Sequence, residues 1–390
     1  MIVLQVLPAL EGGGAQLSAL ETVAAIAKAG GTALVASGGG RLVPRIAELG
    51  GRHILLPLDT RSPLAIWRNA AHLAALIRAE HVDLLHAHSR AVAWSALFAA
   101  RRAGLPFVTT WHGAYGEGSP LKRRYNGVMA SGDRVVAVSR FIAARIAARH
   151  HLAPPRLRVV PPGVDPARFD PAAVSPARAG ALARTWGLPE GRPVIMLPAR
   201  FARWKGQGVL LAALAHLADH DAVAVLVGPL AGRGRYVAAL RSQAAALGLA
   251  DRVFFPGGTD DMPAALALAA VVVNPSTEPE AFGRVVIEAQ AMARPVIVAD
   301  HGAAPETVRE GETGWRVKPG DEAALTAALD QAFSLPPAAR AAVGERARAV
   351  VIGSYSLAAM QEAMLAIYRE LLAAPYPVPG PVAGPIPASR

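Results

Sequence analysis

Short runs rich in β-branched apolar residues alternate along the whole chain with longer runs rich in Ala and Leu. The short runs are typical of buried strands and the longer ones of helices, and their alternation is typical of βαβ units around parallel sheets. In the first half we predict strands over residues 2–7, 32–36, 53–56, 84–86, 107–110 and 135–138. In the second half we predict strands over residues 194–197, 222–227, 252–255, 270–273, 295–298 and 314–317. The pattern therefore predicts an α/β fold with two doubly wound parallel sheets.

Chain length also indicates two domains, because 390 residues exceed the size at which a single core usually keeps growing. A Pro- and Gly-rich segment at 160–166, continued by Pro and Ala to residue 176, interrupts every periodic pattern and marks the join. We predict domains over 1–165 and 166–355, a C-terminal helix over 356–374 and a disordered tail over 375–390. Ligands of parallel α/β sheets bind beyond the carboxyl ends of the strands, so we expect a cleft between the domains lined by these ends.

Composition excludes several classes of protein. Apolar residues make up 53% of the chain and charged residues 18%, which excludes wholesale disorder. The absence of cysteine excludes disulfides and thiolate chemistry. Residues 1–7 are apolar, lack a preceding Lys or Arg and end at Pro8, so we interpret them as a first strand and not as a signal peptide. No apolar run reaches the ~20 residues that span a bilayer, and we expect a soluble or peripheral protein.

The positive charge is distributed unevenly. The formal net charge is +11, and residues 1–165 hold 19 Lys and Arg against 9 Asp and Glu. This asymmetry suggests that the first domain faces an anionic partner such as a membrane surface or nucleic acid. A generally Arg-rich composition is the alternative explanation.

A glycine-rich loop follows the first predicted strand and opens a helix. Gly12, Gly13 and Gly14 stand where backbone N–H groups can receive a phosphate, although a plain tight turn is the alternative. The dinucleotide fingerprint would need a glycine at position 17, where Leu17 stands, and an acid at the end of the second strand. The loop therefore indicates phosphate binding and disfavours a nicotinamide or flavin cofactor.

Two further strand ends in the chain carry groups suited to chemistry. His112 follows a buried strand and precedes Gly113, which permits close approach of a ligand, whereas we interpret His86 and His88 as structural residues. In the second half, Arg200 and Lys205 follow the first strand and lead into a helix. A fixed pair of cations is suited to the charge that grows on a departing diphosphate, and an exposed basic loop is the alternative.

Glu280 and Glu288 stand eight positions apart, and residues 281–284 between them open a predicted helix. Eight residues are a little over two helical turns, so we expect both carboxylates near one face, where a single ligand could contact both. Carboxylates accept hydrogen bonds from pairs of sugar hydroxyls. The alternative for Glu280 is an acid that merely stabilises the helix N-terminus.

Taken together, these motifs resemble glycosyltransferase family 4 (glycosyltransferase group 1), a family of retaining nucleotide-sugar transferases with the GT-B fold of two Rossmann-like domains. The resemblance covers nearly the whole chain through the glycine loop, His112-Gly113, Arg200, Lys205-Gly206 and residues 136–139, 162–165, 274–276, 280–288, 311–314 and 319–321. It implies that the C-terminal helix crosses back onto the first domain.

The resemblance also implies roles for individual positions. Arg200 and Lys205 would bind the donor diphosphate, Glu280 the sugar hydroxyls, and Glu288 the ribose hydroxyls. The backbone of residues 281–283 (Ala281, Phe282 and Gly283) would contact sugar or phosphate, Gly13 and Gly14 would allow closure over the phosphates, and His112 would lie near the reacting centre.

No cofactor or metal is expected, because the chain's Asp-x-Asp, residues 219–221, stands at the amino end of a strand, away from the expected cleft. The mechanism implied by the family is same-face attack or, alternatively, double displacement with Glu280 as nucleophile.

In this family the first domain binds the acceptor, and its charge suggests an anionic lipid-linked or phosphorylated glycan, including lipopolysaccharide core. Lys122, Arg123 and Arg124 are the best candidates for acceptor or membrane contact. We expect a cytoplasmic protein at the inner face of the membrane with no nucleic-acid partner.

Two rival functions remain open. A nucleotide-sugar epimerase or hydrolase of the same fold would need paired carboxylates in the first domain, which the sequence does not offer. A non-catalytic protein that binds an anionic polymer would explain the charge but would leave Arg200 and Glu280 without a role.

Overall fold

The computed structural model describes residues 1–60, 62–116, 118–152, 154–219 and 221–373. The described chain forms two compact units, one made of Met1–Val160 with the residues from Gln361 onward and the other of Pro161–Met360. The predicted tail at 375–390 and the central residue of the Asp-x-Asp segment lie outside the described residues.

Both units are α/β, and their strands coincide closely with the predicted ones. The strands of the first unit are β1 Ile2–Val6, β2 Thr32–Ser37, β3 Arg52–Leu55, β4 Leu84–Ala87, β5 Phe107–Trp111, β6 Arg134–Ala137 and β7 Leu157–Val159. Those of the second unit are β8 Val194–Pro198, β9 Val223–Val227, β10 Val253–Gly257, β11 Val271–Asn274, β12 Val296–Ala299 and β13 Trp315–Val317.

Helices connect these strands. The α-helices are α1 Gly14–Lys28, α2 Val43–Glu48, α3 Pro63–Ala79, α4 Arg90–Ala103, α5 Pro120–Asn126, α6 Arg140–His150, α7 Pro176–Thr185, α8 Gln207–Ala215, α9 Gly234–Ala246, α10 Met262–Leu268, α11 Arg284–Ala291, α12 Ala304–Thr307, α13 Glu322–Ser334, α14 Pro337–Ser354 and α15 Leu357–Ala373. Short 3₁₀ helices occur at Gly127–Ala130, Pro154–Arg156, Pro171–Ala173 and Arg203–Lys205. Within the described ranges, no helix is both long enough and apolar enough to cross a bilayer.

The sheet of the first unit is parallel throughout, with strand order β3-β2-β1-β4-β5-β6-β7. Strand β1 pairs with β2 on one side and with β4 on the other, with Val3 opposite Leu84. The order reverses direction between β1 and β4, which is the arrangement of a doubly wound sheet. The strand β7 was not predicted, because it is three residues long, carries an Arg at its centre and lies half-exposed at the sheet edge.

The second sheet is also parallel and has the order β10-β9-β8-β11-β12-β13. Its central strands β8, β9 and β11 are buried along their whole length, because helices cover both faces. The direction of winding reverses between β8 and β11, where Met196 lies opposite Val272. The predicted α/β fold with two doubly wound parallel sheets is confirmed.

The last helix begins in the second unit and ends in the first. Helix α15 begins at Leu357, and its residues from Gln361 onward belong to the first unit. Gln361 Nε2 donates to the carbonyl of Glu21, and the hydroxyl of the fully buried Tyr368 lies 2.6 Å from His86 Nδ1. These contacts anchor the end of the described chain to α1 and β4 of the first unit.

Candidate functional site

The carboxyl ends of β8 and β11 are neighbours in the second unit, although two strands separate them in sequence. A reversal of strand order leaves a crevice beyond such ends, and ligands of open α/β sheets bind there. The loop after β8 carries Arg200 and Lys205, and the loop after β11 carries Glu280. The predicted candidates therefore come from adjacent strand ends at the switch point of the second sheet.

Lys205 and Glu280 form an ion pair between Nζ and Oε1. The side chains are only 14% and 15% exposed, so bulk water screens this pair less than a surface pair. Ser276 Oγ lies 2.6 Å from the same Glu280 oxygen and 2.8 Å from Asn274 Oδ1. The ammonium and the hydroxyl hold the carboxylate in one orientation before any ligand binds.

Two glycines allow these loops to approach closely. Gly206 has φ +74°, and a Cβ there would lie 2.0 Å from the carbonyl oxygen of Pro275. Gly302 has φ +62°, and its Cβ would lie 2.4 Å from the carbonyl oxygen of Glu280. The left-handed backbone and the close approach both require glycine. Lys205 and Glu280 are therefore positioned by direct backbone packing as well as by their ion pair.

The relation between Glu280 and Glu288 differs from the prediction. Helix α11 begins at Arg284, with Gly283 as its N-cap at φ +85°, so Glu280 lies in the preceding loop and the expectation of a shared helical face was wrong. Glu288 lies on the helix, 3.8 Å from Arg284 Nε. The left-handed Gly283 breaks the helical periodicity on which the eight-residue spacing depended.

Other predicted donor-site residues lie in the same loops. Arg200 is exposed, and its carbonyl oxygen accepts a hydrogen bond from Gln207 Nε2 at 2.9 Å. Ala281 and Gly283 flank Phe282, whose buried ring packs edge-to-face against Tyr355 at 5.5 Å. The Phe282 side chain is therefore part of the core, and the predicted ligand contact of this segment stays a prediction for its backbone.

His301 was missed by the sequence analysis. It follows β12, and its Nε2 donates to the carbonyl of Ser276 at 2.8 Å, while its buried Nδ1 has no hydrogen-bond partner among the described residues. With Glu280 and Phe282 it lines a small cavity. His301 precedes Gly302 just as His112 precedes Gly113, so the same signal could have found it.

The first unit holds a second group of predicted residues. Gly13 caps α1, which begins at Gly14, so the glycine loop does open a helix as predicted. His112 follows β5, and its Nε2 lies 3.0 Å from His88 Nδ1. His86 is buried beside His88, with ring centroids 4.0 Å apart.

Burial governs the charge of these imidazoles. Burial and, secondarily, repulsion from His112 lower the pKa of His86 to about 3. Burial also lowers the pKa of His88 well below its ordinary value, with smaller contributions from His86 and His112. Both residues are therefore neutral at physiological pH.

The predicted acceptor-contact residues form an exposed basic helix. Lys122, Arg123 and Arg124 are all exposed on α5, after Leu121, whose side chain is 81% exposed. Helix α5 therefore presents one apolar side chain and three cations to solvent.

Two family models match the chain. The model described as Glycosyltransferase Family 4 matches residues 12–168, and the model described as Glycosyl transferases group 1 matches residues 181–350. A D-inositol 3-phosphate glycosyltransferase from Salinispora tropica is 35% identical over 78% of this chain and 68% of its own length. The chain belongs to glycosyltransferase family 4.

Further relatives of this family 4 enzyme are consistent with that placement. A GDP-mannose-dependent alpha-(1-6)-phosphatidylinositol monomannoside mannosyltransferase from Mycobacterium tuberculosis is 35% identical over 65% of this chain and 60% of its own length. The crystal structure of a glycosyltransferase from Rickettsia africae superposes with a TM-score of 0.88 at 33% identity, covering 95% of this chain and 98% of that one. The predicted enzyme class, glycosyltransferase, and the GT-B fold are confirmed.

Proposed function

We propose that this glycosyltransferase is a retaining enzyme that moves a hexose-type sugar from a UDP- or GDP-sugar to an anionic, phosphate-bearing acceptor at a membrane. The proposed donor binding is supported above all by the Lys205–Glu280 ion pair. It joins the loops that follow two neighbouring strands at the switch point of the sheet. A cation and a carboxylate held side by side match a donor that carries a diphosphate next to a ring of hydroxyls.

Lys205 would stabilise the departing diphosphate, with Arg200 as a second cation. Negative charge grows on the diphosphate as the glycosidic bond breaks, and a cation already in place need not reorganise at that moment. The centre of the Trp204 ring lies 4.2 Å from Lys205 Nζ, and this cation–π contact restricts the movement of the ammonium group. The enzyme would thus bind the charge of the transition state more strongly than that of the ground state.

Glu280 would accept hydrogen bonds from donor sugar hydroxyls. Its Oε1 already faces the Lys205 ammonium and the Ser276 hydroxyl, and these contacts stabilise the negative charge and make the oxygen a weaker nucleophile. This environment supports same-face attack, in which the departing phosphate takes the acceptor proton, over a covalent Glu280 intermediate. Intact-mass measurement during turnover distinguishes the two, because only double displacement gives a glycosylated protein.

Donor binding is tested by a thermal-shift screen of UDP-, GDP-, ADP- and CMP-sugars, followed by slow hydrolysis of the best ligand. Lys205→Ala and Glu280→Ala should each lower turnover by about a hundredfold or more. Arg178→Ala is the matched control, because its ion pair with Asp261 is exposed and lies in the same unit. Unchanged donor hydrolysis in both site variants, or no stabilisation by any nucleotide-sugar, would contradict the proposal.

The acceptor half rests on the charge of the first unit and on the relatives. Both named relatives carry inositol phosphate or phosphatidylinositol in their names, which supports a phosphate-bearing acceptor. The solved structures associated with lipopolysaccharide are at most 19% identical and support the fold alone. We therefore place a phosphorylated polyol or its lipid ahead of lipopolysaccharide core as the acceptor class.

We propose that exposed apolar and basic residues of α3 and α5 contact an anionic membrane. Leu64 and Trp67 on α3 are 70% and 66% exposed, and Leu121 stands beside the cations of α5. Helix α4 links the two, because Ser95 Oγ donates to the Ile66 carbonyl and Trp94 Nε1 donates to the Tyr125 carbonyl. Apolar side chains that enter the headgroup region and cations that meet its phosphates act together in peripheral binding.

Vesicle binding tests this contact. Neutralising Lys122, Arg123 and Arg124 together should weaken binding to phosphatidylserine-containing vesicles by at least tenfold at low salt, since each cation near the surface contributes about 1 kcal/mol. Neutralising Arg309 and Arg346, exposed arginines of the second unit, serves as the control. Equal binding by the two variants would contradict a membrane role for α5. Such binding would support the proposed location at the inner face of the cytoplasmic membrane.

A further inference from the structure

Arg294 lines a large cavity at the amino ends of the strands of the second sheet. Val194 is the first residue of β8 and Pro295 directly precedes β12, and both line this Arg294 cavity. Its volume is about 610 Å³, within the range of roughly 300–1,000 Å³ that is usual for small-molecule sites. All the lining residues belong to the second unit. Because the strands are parallel, the cavity lies at the opposite edge of the sheet from the loops of Lys205 and Glu280.

The charged groups of the Arg294 cavity are mostly cations. Among the residues that the structure describes, Arg192, Arg294 and Arg340 line it together with one carboxylate, that of Glu345. Three cations against one anion leave an excess of positive charge at this edge of the sheet. The lining therefore favours an anionic ligand over a neutral or cationic one.

Arg294 is held in place at the cavity by the turn that ends α11. Its backbone N–H donates to the carbonyl of Ala289 at 2.9 Å, across Ala293 in the left-handed conformation at φ +52°. The side chain is partly buried, and its Nη1 donates to the carbonyl of Ala269 at 3.3 Å. The guanidinium is thus positioned before any ligand binds, which lowers the entropic cost of binding.

The charge of Arg294 lacks a close counter-charge in the described part of the chain. Burial lowers the pKa of Arg294, and the Glu345 carboxylate opposes this effect without forming an ion pair with it. Arg294 Nε is enclosed and has no hydrogen-bond partner among the described residues. Nη2 has none among them either, and it is not enclosed. An anion that accepts hydrogen bonds from Nη2 would therefore stabilise this partly buried cation.

Arg340 presents a second cation to the same cavity from helix α14. It lies near the start of that helix, which begins at Pro337, and its guanidinium carbon is 5.6 Å from the centre of the Phe333 ring. Its guanidinium forms no hydrogen bond or ion pair with a described residue. A planar guanidinium can bind a carboxylate or phosphate through two parallel hydrogen bonds. Arg294 and Arg340 thus offer unused donors that suit either group.

The rest of the lining is apolar and rigid. Four prolines belong to it, namely Pro171, Pro193, Pro295 and Pro337. Proline has a fixed φ and no backbone N–H, so these walls are stiff and offer no backbone donor. Leu268 and the fully buried Met292 add apolar side chains. Such a lining favours an apolar body attached to the anionic group over an inorganic ion alone.

We propose that the Arg294 cavity binds a small organic anion, that is, a carboxylate or phosphate group attached to an apolar body. Arg294 and Arg340 donate to the anionic group, and the body lies against Leu268 and Met292. The site is separate from the donor site and does not depend on the proposed function, because it uses residues at the other edge of the sheet.

Methyl NMR of ¹³C-methionine-labelled protein tests binding at this position. The protein is titrated with phenyl phosphate or benzoate at constant ionic strength, and the Met292 signal is assigned from its loss in Met292→Leu. We expect a saturable shift of the Met292 signal, while Met129, buried in the first unit, stays unchanged. The tighter of the two anions identifies the preferred group.

Benzamide is the neutral control for these probes. It has the same body as benzoate but no charge, and it should bind at least tenfold more weakly, because hydrogen bonds from a guanidinium to a charged acceptor are stronger. Equal binding of benzamide and benzoate, or no shift of Met292 with either anion, would overturn the proposal.

Substitution identifies the groups that bind the anion. Arg340→Met removes a guanidinium that makes no hydrogen bond to the described residues, so the fold should persist and the affinity for phenyl phosphate should fall about tenfold. Arg294→Met should weaken binding at least as much, and it also removes the bond to Ala269. Arg346→Met is the matched control, because Arg346 lies on the same helix, donates to the Glu312 carbonyl and does not line the cavity. Wild-type affinity in both Arg294→Met and Arg340→Met refutes the proposal.

Lys205→Ala separates the Arg294 cavity from the donor site. The response of Met292 to phenyl phosphate should be unchanged in this variant, because Lys205 lies at the other edge of the sheet. A weakened response would mean that the anion acts through the donor site, and the inference would fail. If no nucleotide-sugar binds the wild-type protein but Met292 responds to the anion, the proposed function fails and this inference stands.

Discussion

Alanine at position 206 would place a methyl group against the backbone of the neighbouring loop. Gly206 has φ +74°, where an L-residue other than glycine costs about 1–2 kcal/mol. The new Cβ would lie 2.0 Å from the Pro275 carbonyl oxygen, so one of the two loops must move. Overpacking of this kind costs a further ~1–3 kcal/mol, which gives an expected loss of about 2–5 kcal/mol in the free energy of unfolding of the second unit.

Gly232→Ala is the matched control for that variant. Gly232 has φ +70°, and no described atom lies within 4 Å of its ideal Cβ, so alanine there carries the backbone cost of about 1–2 kcal/mol without the collision. The two variants are compared by urea denaturation and by calorimetric titration with the best nucleotide-sugar. We expect Gly206→Ala to lose more stability and also to bind the donor more weakly, because Lys205 would be displaced from Glu280. Equal losses in the two variants would refute the claim that close backbone packing positions the ion pair.

Three further outcomes are expected. In the folded protein the pKa of His86 is lowered from its ordinary value of 6.5 to about 3, and the pKa of His88 is lowered as well. The free energy of unfolding should therefore be highest above pH 6.5 and fall as the pH drops from 6.5 towards 3. Equilibrium denaturation should show roughly 1.4 kcal/mol lost per pH unit for each histidine, and a flat profile there would contradict their burial as neutral groups. Asp261→Ala should cost about 1 kcal/mol in thermal or chemical unfolding, because its carboxylate caps α10 through the Ala264 amide, while Asp261→Asn should cost much less. Ser276→Ala should weaken donor binding measured by calorimetry by about tenfold, because it frees the Glu280 carboxylate to rotate, and an unchanged affinity would show that Lys205 alone orients it.

The positions of the strands were predictable because buried parallel strands consist of continuous runs of apolar residues. The strands β9 and β11, with sequences Val-Ala-Val-Leu-Val and Val-Val-Val-Asn, are examples. The edge strand β7 has no such run, because one face and one edge meet solvent. The positions of the strands also led to the candidate residues His112, which directly follows β5, and Lys205, which lies in the loop after β8.

The prediction that Glu280 shares a helical face with Glu288 was wrong. The eight-residue spacing to Glu288 suggested one helical face, but the left-handed Gly283 separates the loop from the helix. The backbone of Glu280 is instead determined by Gly302, which comes from the loop after another strand, β12. Long-range packing of this kind leaves no trace in the spacing of nearby residues.

Periodicity and motif order are local properties, so the order of residues was enough to predict which segments become strands and helices, which residues stand at the strand ends and which family the chain resembles. The folded chain was needed to show that β8 lies beside β11, that Lys205 pairs with Glu280 and that His88 lies between Gln5 and His112. Strand order depends on how helices cross over a sheet, and a contact between two loops depends on which strands are neighbours. Both are set by contacts between residues far apart in the chain.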